Sequence, residues 1–373
     1  MSAPRVVVTG LGVTTAYGRG EQELWTGVSE ARPAFRPIER FPVGRGRTVV
    51  AATLPGDPDL ETELGAVIGD ACGQAGLSAA DRARIPLLLA RHADPAVARM
   101  EAAEQVRRPI SETARTVAAA AGLSGPARTY TNACVAGTTA VIEGAMRIAA
   151  GEAEQVVVAA GYLVDADNFA LFSAGRALAA DGLLRPFSDR RAGLLLGDGV
   201  GAVVLESEQS AIRRSASVRA VLAGWGLAGD AFHVCRPHPQ GAGMARAIGA
   251  ALDRAGWTPA DLGYINCHGT GTKHNDASES AALHAAGAQD VPVSSTKSAH
   301  GHTLEASGLV ELAVAILTLQ HKRLPVNANH LGEDPDCRLR LVLEPEEKLT
   351  HDRVLSLNAA FGGANAVLAV SAP

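Results

Sequence analysis

Cys134 sits in TYTNACVAGTTAV (residues 129–141), between a β-prone stretch and a run of Gly, Thr and Ala. Taken alone it reads first as a small core residue, since free cysteine is among the most buried residue types. The alternative is a nucleophile on a strand-to-helix corner. The small residues that follow leave room above the sulfur. A helix N-terminus at that corner would offer unpaired N–H groups and a partial positive charge, which stabilise a thiolate and lower the thiol's pKa. The cysteine's own N–H would then face the oxygen of a thioester under attack.

Three further stretches carry the same kind of signal. In NCHGTGTKHNDASESAAL (266–283), His268 lies just past a strand end. Gly269 and Gly271 permit a tight loop there, and Thr270 and Thr272 expose hydroxyls beside it. That is where α/β folds place ligands, although a turn with a surface histidine fits the loop equally. In SSTKSAHGHTLEASGLVEL (294–312), Lys297, His300 and His302 crowd a helix start. Cation and dipole both disfavour a protonated His302, and a neutral imidazole can donate a hydrogen bond to a developing enolate. A solvated helix cap is the plainer reading. In LNAAFGGANAVLAV (357–370), Gly362 and Gly363 let the backbone approach another group closely. Phe361 before them either gates a pocket or fills the core.

The elements that must position these residues alternate. Short β-branched runs are predicted as strands at 5–9, 86–90, 155–160, 201–206, 217–225, 263–267, 291–294, 339–344, 353–358 and 366–371. Helices are predicted at 22–28, 61–76, 111–122, 137–150, 242–255, 276–287 and 304–320, most of them Ala-rich. Near-continuous apolar strands separated by helices indicate a layered α/β fold. The chain runs twice through a similar programme of strand, reactive corner and Ala-rich helix. Two related halves, 1–210 and 211–373, follow, joined at the polar stretch 207–216.

Bulk composition narrows the class. With 47% hydrophobic and 20% charged residues, the 373-residue chain has an ordinary globular balance. A net charge of −5 gives no basic surface for nucleic acid. The clusters Arg40, Arg45, Arg47 and Arg185, Arg190, Arg191 read as solvated faces or contacts for an acidic partner. Five cysteines, odd in number and without CxxC spacing, argue against a disulfide framework and a metal site. No basic n-region with a long apolar stretch opens the chain, and no uncharged apolar run reaches the roughly 18 residues of a membrane span. A cytoplasmic protein is expected.

The motifs in order resemble the β-ketoacyl-acyl-carrier-protein synthases, the ketosynthases or condensing enzymes of the thiolase fold. RVVVTGLGVTTAYGRGEQELWTGV is similar to that family's opening strand and helix, and RPFSDRRAGLLLGDGVGAVVLE to its RPFDxxRxGFxxGEGA segment. CHGTGTKHNDASE and SSTKSAHGH resemble its two histidine loops, and FGGANA its terminal glycine loop. The resemblance covers nearly the whole chain. It implies a five-layered αβαβα thiolase-like fold with two pseudo-repeated halves, and a dimer. It implies that Cys134 accepts the acyl group, that His268 and His302 are catalytic, and that Lys297 precedes the second histidine and pairs with Glu279. Thr270 and Thr272 would line a phosphopantetheine arm, beside Gly362 and Gly363, and the N–H groups of Phe361 and Cys134 would form an oxyanion hole. The implied reaction is decarboxylative condensation of a Cys-bound acyl chain with a malonyl unit, in fatty acid or type II polyketide biosynthesis. The chain itself needs no metal or redox cofactor, because phosphopantetheine is carried by the acyl carrier protein.

Several positions depart from the pattern. His300 stands where Thr is usual, Glu305 where a small Gly is usual, Leu194 for Phe and Ala364 for Thr, while Ala359 and Ala360 replace the usual Phe-Gly. Glu305 is either a first-turn carboxylate favoured by the helix dipole or a group that raises the pKa of His302. The chain is also compressed between about 80 and 128 relative to the family. Three roles follow: an active ketosynthase, a chain-length-factor-like partner subunit in a heterodimer, or an acyltransferase to an alcohol or amine. Partner subunits usually lose the cysteine and often a histidine, and this chain keeps all three.

Overall fold

The computed structural model describes residues 4–44, 48–92 and 110–373, with backbone only at 110–112. Arg45, Arg47 and most of the charged stretch 89–111 lie outside the described residues.

One long sheet carries two copies of the same strand order. The first half supplies β1 (Val6–Thr15), β2 (Leu87–Arg91), β3 (Ala127–Tyr130), β4 (Gln155–Tyr162) and β5 (Gly199–Ser207). The second supplies β6 (Ala220–Gly229), β7 (Tyr264–Asn266), β8 (Val293–Ser294), β9 (Arg353–Ala360) and β10 (Ala364–Ser371). The first half runs β3-β2-β4-β5-β1 and the second β8-β7-β9-β10-β6. In each, the first three strands in that order are parallel and the last two pairings are antiparallel. The halves join where Val6–Val8 of β1 pair with Ala220–Leu222 of β6. The β-branched runs VVV and AVV that mark β1 and β5 are buried on both faces, as strands covered by helices on either side require.

The helices fall into three layers. α1 (Glu21–Ser29) flanks β1. α2 (Leu60–Gln74) and α3 (Ile110–Ala120) cover the outer face of the first half, and α6 (Ala242–Ala255) with α7 (Lys273–Ala285) covers that of the second. Between the halves α4 (Ala136–Ala149) packs on α9 (Ser307–His321), and the short α8 (Lys297–His300) precedes α9 and packs on α1. The result is the expected five-layered αβαβα architecture. Leu304–His321 is long and apolar enough by composition to span a membrane, yet 89% of it is buried inside the protein, as befits its place in the middle layer.

The sequence reading misplaced a few elements. The strand expected at 339–344 is a single bridge, Val293 to Leu341, because its neighbour β8 is only two residues long. The helix expected from 304 opens with a 3₁₀ turn, Leu304–Ala306. α5 (Ala166–Ala174) went unpredicted; Asp165 caps it by accepting the Asn168 N–H at 2.9 Å. Three of the arginines are not solvated: Arg40 pairs with buried Asp198 at 2.7 Å, and Arg185 and Arg191 are buried, while Arg190 is exposed as expected.

The two central helices touch through glycine. A Cβ at Gly308 would lie 2.2 Å from Thr138 Oγ1 and 2.4 Å from Thr138 N. Gly308→Ala must therefore spread α4 and α9, and it is expected to lower the unfolding free energy by about 1–3 kcal/mol. Denaturant melts measure this; an unchanged midpoint would contradict the packing.

Candidate active site

A cavity of about 460 Å³ brings together Cys134, His268 and His302, with Thr270 and Thr272 on its wall and Phe361 at its edge. Cys134 comes from the first half, after β3. The histidines come from the second, after β7 and β8.

Cys134 lies in a 3₁₀ turn, Ala133–Val135, just before α4. Ala133 holds φ 54°, a left-handed conformation that a residue with a Cβ adopts at a cost. This turn makes the corner sharp and aims the next side chain into the cavity. The thiol does not follow the expectation of a lowered pKa. Burial pushes it up to about 12, the charge of Glu305 pushes the same way, and Lys297 only partly opposes them. At 8% exposure the sulfur has little water to stabilise a thiolate, so desolvation outweighs the helix end.

His268 follows β7, and Glu279 on α7 fixes its loop. The two carboxylate oxygens accept the N–H groups of His268 and Gly269 at 2.6 and 2.8 Å. Asp276 accepts the Thr270 N–H at 3.1 Å and the Phe187 N–H at 2.9 Å, and the Thr270 and Thr272 hydroxyls lie 2.9 Å apart. The expected pair of Glu279 with Lys297 is thus corrected: Glu279 is occupied by backbone N–H groups. Lys297 pairs instead with Glu311 on α9, both fully buried. Glu311 also accepts from Asn358 at 2.6 Å, and Asn358 accepts the Thr138 hydroxyl at 2.5 Å. Sequence reasoning missed Glu311, Asn358 and Thr138. The available signal was the single acid in SGLVELAVAILTLQH, which an otherwise apolar helix keeps only if the charge is paired.

Lys297 Nζ lies 3.3 Å from His268 Nδ1. An ammonium can only donate, so Nδ1 accepts and the hydrogen of the neutral ring sits on Nε2. His302 Nδ1 meets the Ser307 hydroxyl at 3.0 Å, and that hydroxyl also lies 3.3 Å from Thr303 Oγ1. The two imidazoles stand edge to face, centroids 5.3 Å apart. Burial first and Lys297 second hold both rings well below the usual histidine range. His302 is thereby neutral, as expected, but Glu305 has no part in it. Glu305 instead bonds His92 Nδ1 at 3.1 Å. His300 is a buried core residue bonded to Thr296 Oγ1 at 3.0 Å, outside the cavity lining.

Phe361 is 53% exposed and faces Phe172 at 6.0 Å between centroids, so it stands at an entrance and does not fill the core. Gly362 and Gly363 both take positive φ, 87° and 76°. A Cβ at Gly363 would lie 2.9 Å from the Asp230 side chain, and the Asp230 backbone N–H donates to Gly363 O at 2.7 Å. The glycine loop is thereby docked onto the segment 230–238. Leu194, in place of the usual Phe, lines the cavity wall.

The chain matches the family description "Beta-ketoacyl synthase, N-terminal domain" over residues 89–211 and "Beta-ketoacyl synthase, C-terminal domain" over 219–330. The tetracenomycin polyketide synthase ketoacyl synthase alpha subunit of Streptomyces glaucescens is 33% identical over 99% of this chain and 97% of its own length. The solved ishigamide ketosynthase/chain length factor superposes with a TM-score of 0.91 at 31% identity, covering 100% of both chains. A type II polyketide synthase acyl-carrier protein in complex with its ketosynthase bound to the hexaketide includes a chain that superposes at 0.90 with 26% identity, over 100% of both. The chain belongs to the β-ketoacyl synthase family. It is a condensing enzyme of the acyltransferase class with the thiolase fold.

Alkylation tests the state of the thiol. With its pKa near 12, Cys134 carries so little thiolate at neutral pH that its iodoacetamide rate, read on its own peptide by mass spectrometry, climbs about tenfold per pH unit from pH 7 to 10. Glu305→Gln removes an acid that raises the pKa, so the rate rises at every pH. A plateau near pH 8 would contradict the assignment.

Proposed function

We propose that the chain is an active ketosynthase, with Cys134 as acyl acceptor and His268 and His302 as the groups that stabilise the enolate. The observation that carries this is the convergence of all three in one cavity, with both imidazoles neutral. Nucleophile from residues 1–210 and histidines from 211–373 divide the work between the two halves.

The steps follow from the geometry. A carrier brings an acyl thioester on its phosphopantetheine arm past Phe361, beside the Thr270 and Thr272 hydroxyls and the Gly362–Gly363 loop. The Cys134 thiol enters with its proton and passes it to an imidazole as it attacks; the carrier thiol leaves with a proton. His302 suits this exchange. When the Ser307 hydroxyl accepts from Nδ1, Nε2 holds a free lone pair; when it donates, Nε2 carries the hydrogen. The N–H groups of Cys134 and Phe361 would receive the oxyanion. A second carrier then brings the malonyl unit. Loss of CO₂ leaves an enolate, which accepts hydrogen bonds from Nε2–H of His268, fixed by Lys297, and of His302. Its carbon attacks the acyl-Cys carbonyl, the Cys134 thiolate leaves, and the β-ketoacyl chain stays on the carrier, two carbons longer.

The partners of this reading are an acyl carrier protein and a second ketosynthase-fold subunit, like with like or a chain-length factor. The chain itself holds no cofactor in this scheme. Five free cysteines fit a reducing, cytoplasmic setting. A chain-length-factor role accords less well with a complete set of Cys134, His268 and His302.

Intact mass of the protein and its carriers after incubation with acyl- and malonyl-carrier protein decides the matter. Wild type gains an acyl adduct and yields β-ketoacyl carrier, and Cys134→Ala does neither. His268→Ala keeps the adduct but loses about 10²–10³ of the condensation rate. No adduct on the wild type would overturn the reading in favour of a partner subunit.

A further inference from the structure

Beside the turn that carries Cys134 lies a group of polar side chains that the condensation does not use. Glu305 sits in the 3₁₀ turn Leu304–Ala306, which packs on the cysteine's own turn Ala133–Val135 and on β2 and β4. The fit is close: a Cβ at Gly137 would lie 2.8 Å from Glu305 O. Glu305 is 3% exposed, and only Oε1 has a partner, His92. Its other oxygen, Oε2, has no hydrogen-bond partner among the described residues. Tyr162, 2% exposed, has a hydroxyl whose oxygen the Asp165 backbone N–H approaches and whose hydrogen has no acceptor there.

These groups share one place in the fold. β2 and β4 run parallel with Arg91 opposite Gly161, so His92 and Tyr162 are the next residues on neighbouring strands. β3 runs parallel to β2 with Tyr130 opposite Ala90, and Cys134 follows four residues on. All three strands deliver their carboxyl ends to one edge, where α/β sheets bind ligands. The charge of Glu305 is felt at both Cys134 and Tyr162. A buried carboxylate oxygen left unpaired and a buried phenol hydrogen with no acceptor are costly, and such groups are retained where something else bonds them.

We propose that Glu305 and Tyr162, with His92 holding Glu305 in place, form a polar pocket that binds a hydroxyl on the Cys134-bound acyl chain close to its thioester. A hydroxyl is the small group that satisfies both partners at once, donating to Glu305 Oε2 and accepting from Tyr162. A plain hydrocarbon leaves both unpaired, so the site discriminates against it. The inference rests on Cys134 being the acyl acceptor and names the chain it accepts.

The test is internal competition. The pantetheine thioesters of 2-, 3- and 5-hydroxyoctanoate are each competed against octanoyl-pantetheine, and the acyl group on Cys134 is read by intact mass. At least one hydroxy isomer is expected to win about tenfold or more in the wild type, the effect of losing a hydrogen bond to a charged group. Glu305→Gly and Tyr162→Phe each bring the ratio towards one, and Glu305→Gln keeps part of it. A ratio within one variant is unaffected by how much of it is folded, so a merely structural role for either residue leaves the ratio unmoved. Ratios within twofold of one in the wild type, or a preference that survives both Glu305→Gly and Tyr162→Phe, overturn the inference while leaving the ketosynthase intact. No acyl group on Cys134 from any thioester overturns the underlying reading and this inference with it.

Discussion

The ion pair of Lys297 and Glu311 is buried at the centre of the molecule, both side chains without solvent contact. Two charges in that setting persist only with each other and with further hydrogen bonds. Asn358 supplies one to Glu311, and Thr138 bonds Asn358 in turn. The chain of contacts therefore runs from the ring of His268, through the lysine, across α9 and β9, to α4, which carries Cys134 at its start. A cation that cannot leave also sits beside two imidazoles that burial has already stripped of water. Its effect is to keep both rings neutral and to fix which nitrogen of His268 bears the hydrogen. The protonation of the two rings and the placement of Cys134 thus hang on one buried pair.

The repeat explains why the three reactive residues meet. Each half delivers loops from the carboxyl ends of its second and third strands to the same side. Cys134 follows the third strand of the first half, and Lys297 and His302 follow the third strand of the second. His268 follows the second strand of its half, and His92 follows the second strand of the other. Equivalent positions have taken different work. The second half holds the two cavity-lining rings, while in the first half the equivalent histidine holds Glu305.

Much of this was legible in the sequence because the residues announce themselves. Cys134, His268 and His302 each stand at a strand end among glycines and small residues, and the structure gathers them. The alternation of apolar runs and Ala-rich helices was enough for the layered fold. What failed depended on tertiary distance. The family resemblance made Glu279 the partner of Lys297, but its loop turns its oxygens to backbone N–H groups 10 and 11 residues before it. The thiol's pKa was misjudged because a helix end is visible in sequence and desolvation is not. α5 was missed because ADNFALFSA has no strong helical periodicity; its cap at Asp165 is a local cue. Glu305 was noticed as a departure, but its contact with His92 joins residues 213 apart.

The central claim is that burial and the lysine hold the two active-site imidazoles neutral, with the His268 hydrogen on Nε2. Nitrogen-15 NMR of histidine-labelled protein, titrated from pH 7.5 to 5.5, tests it most directly. The account predicts neutral-ring shifts for His268 and His302 throughout, with His268 as the Nε2–H tautomer. An imidazolium signal from either ring at pH 6, or His268 with its hydrogen on Nδ1, would contradict it.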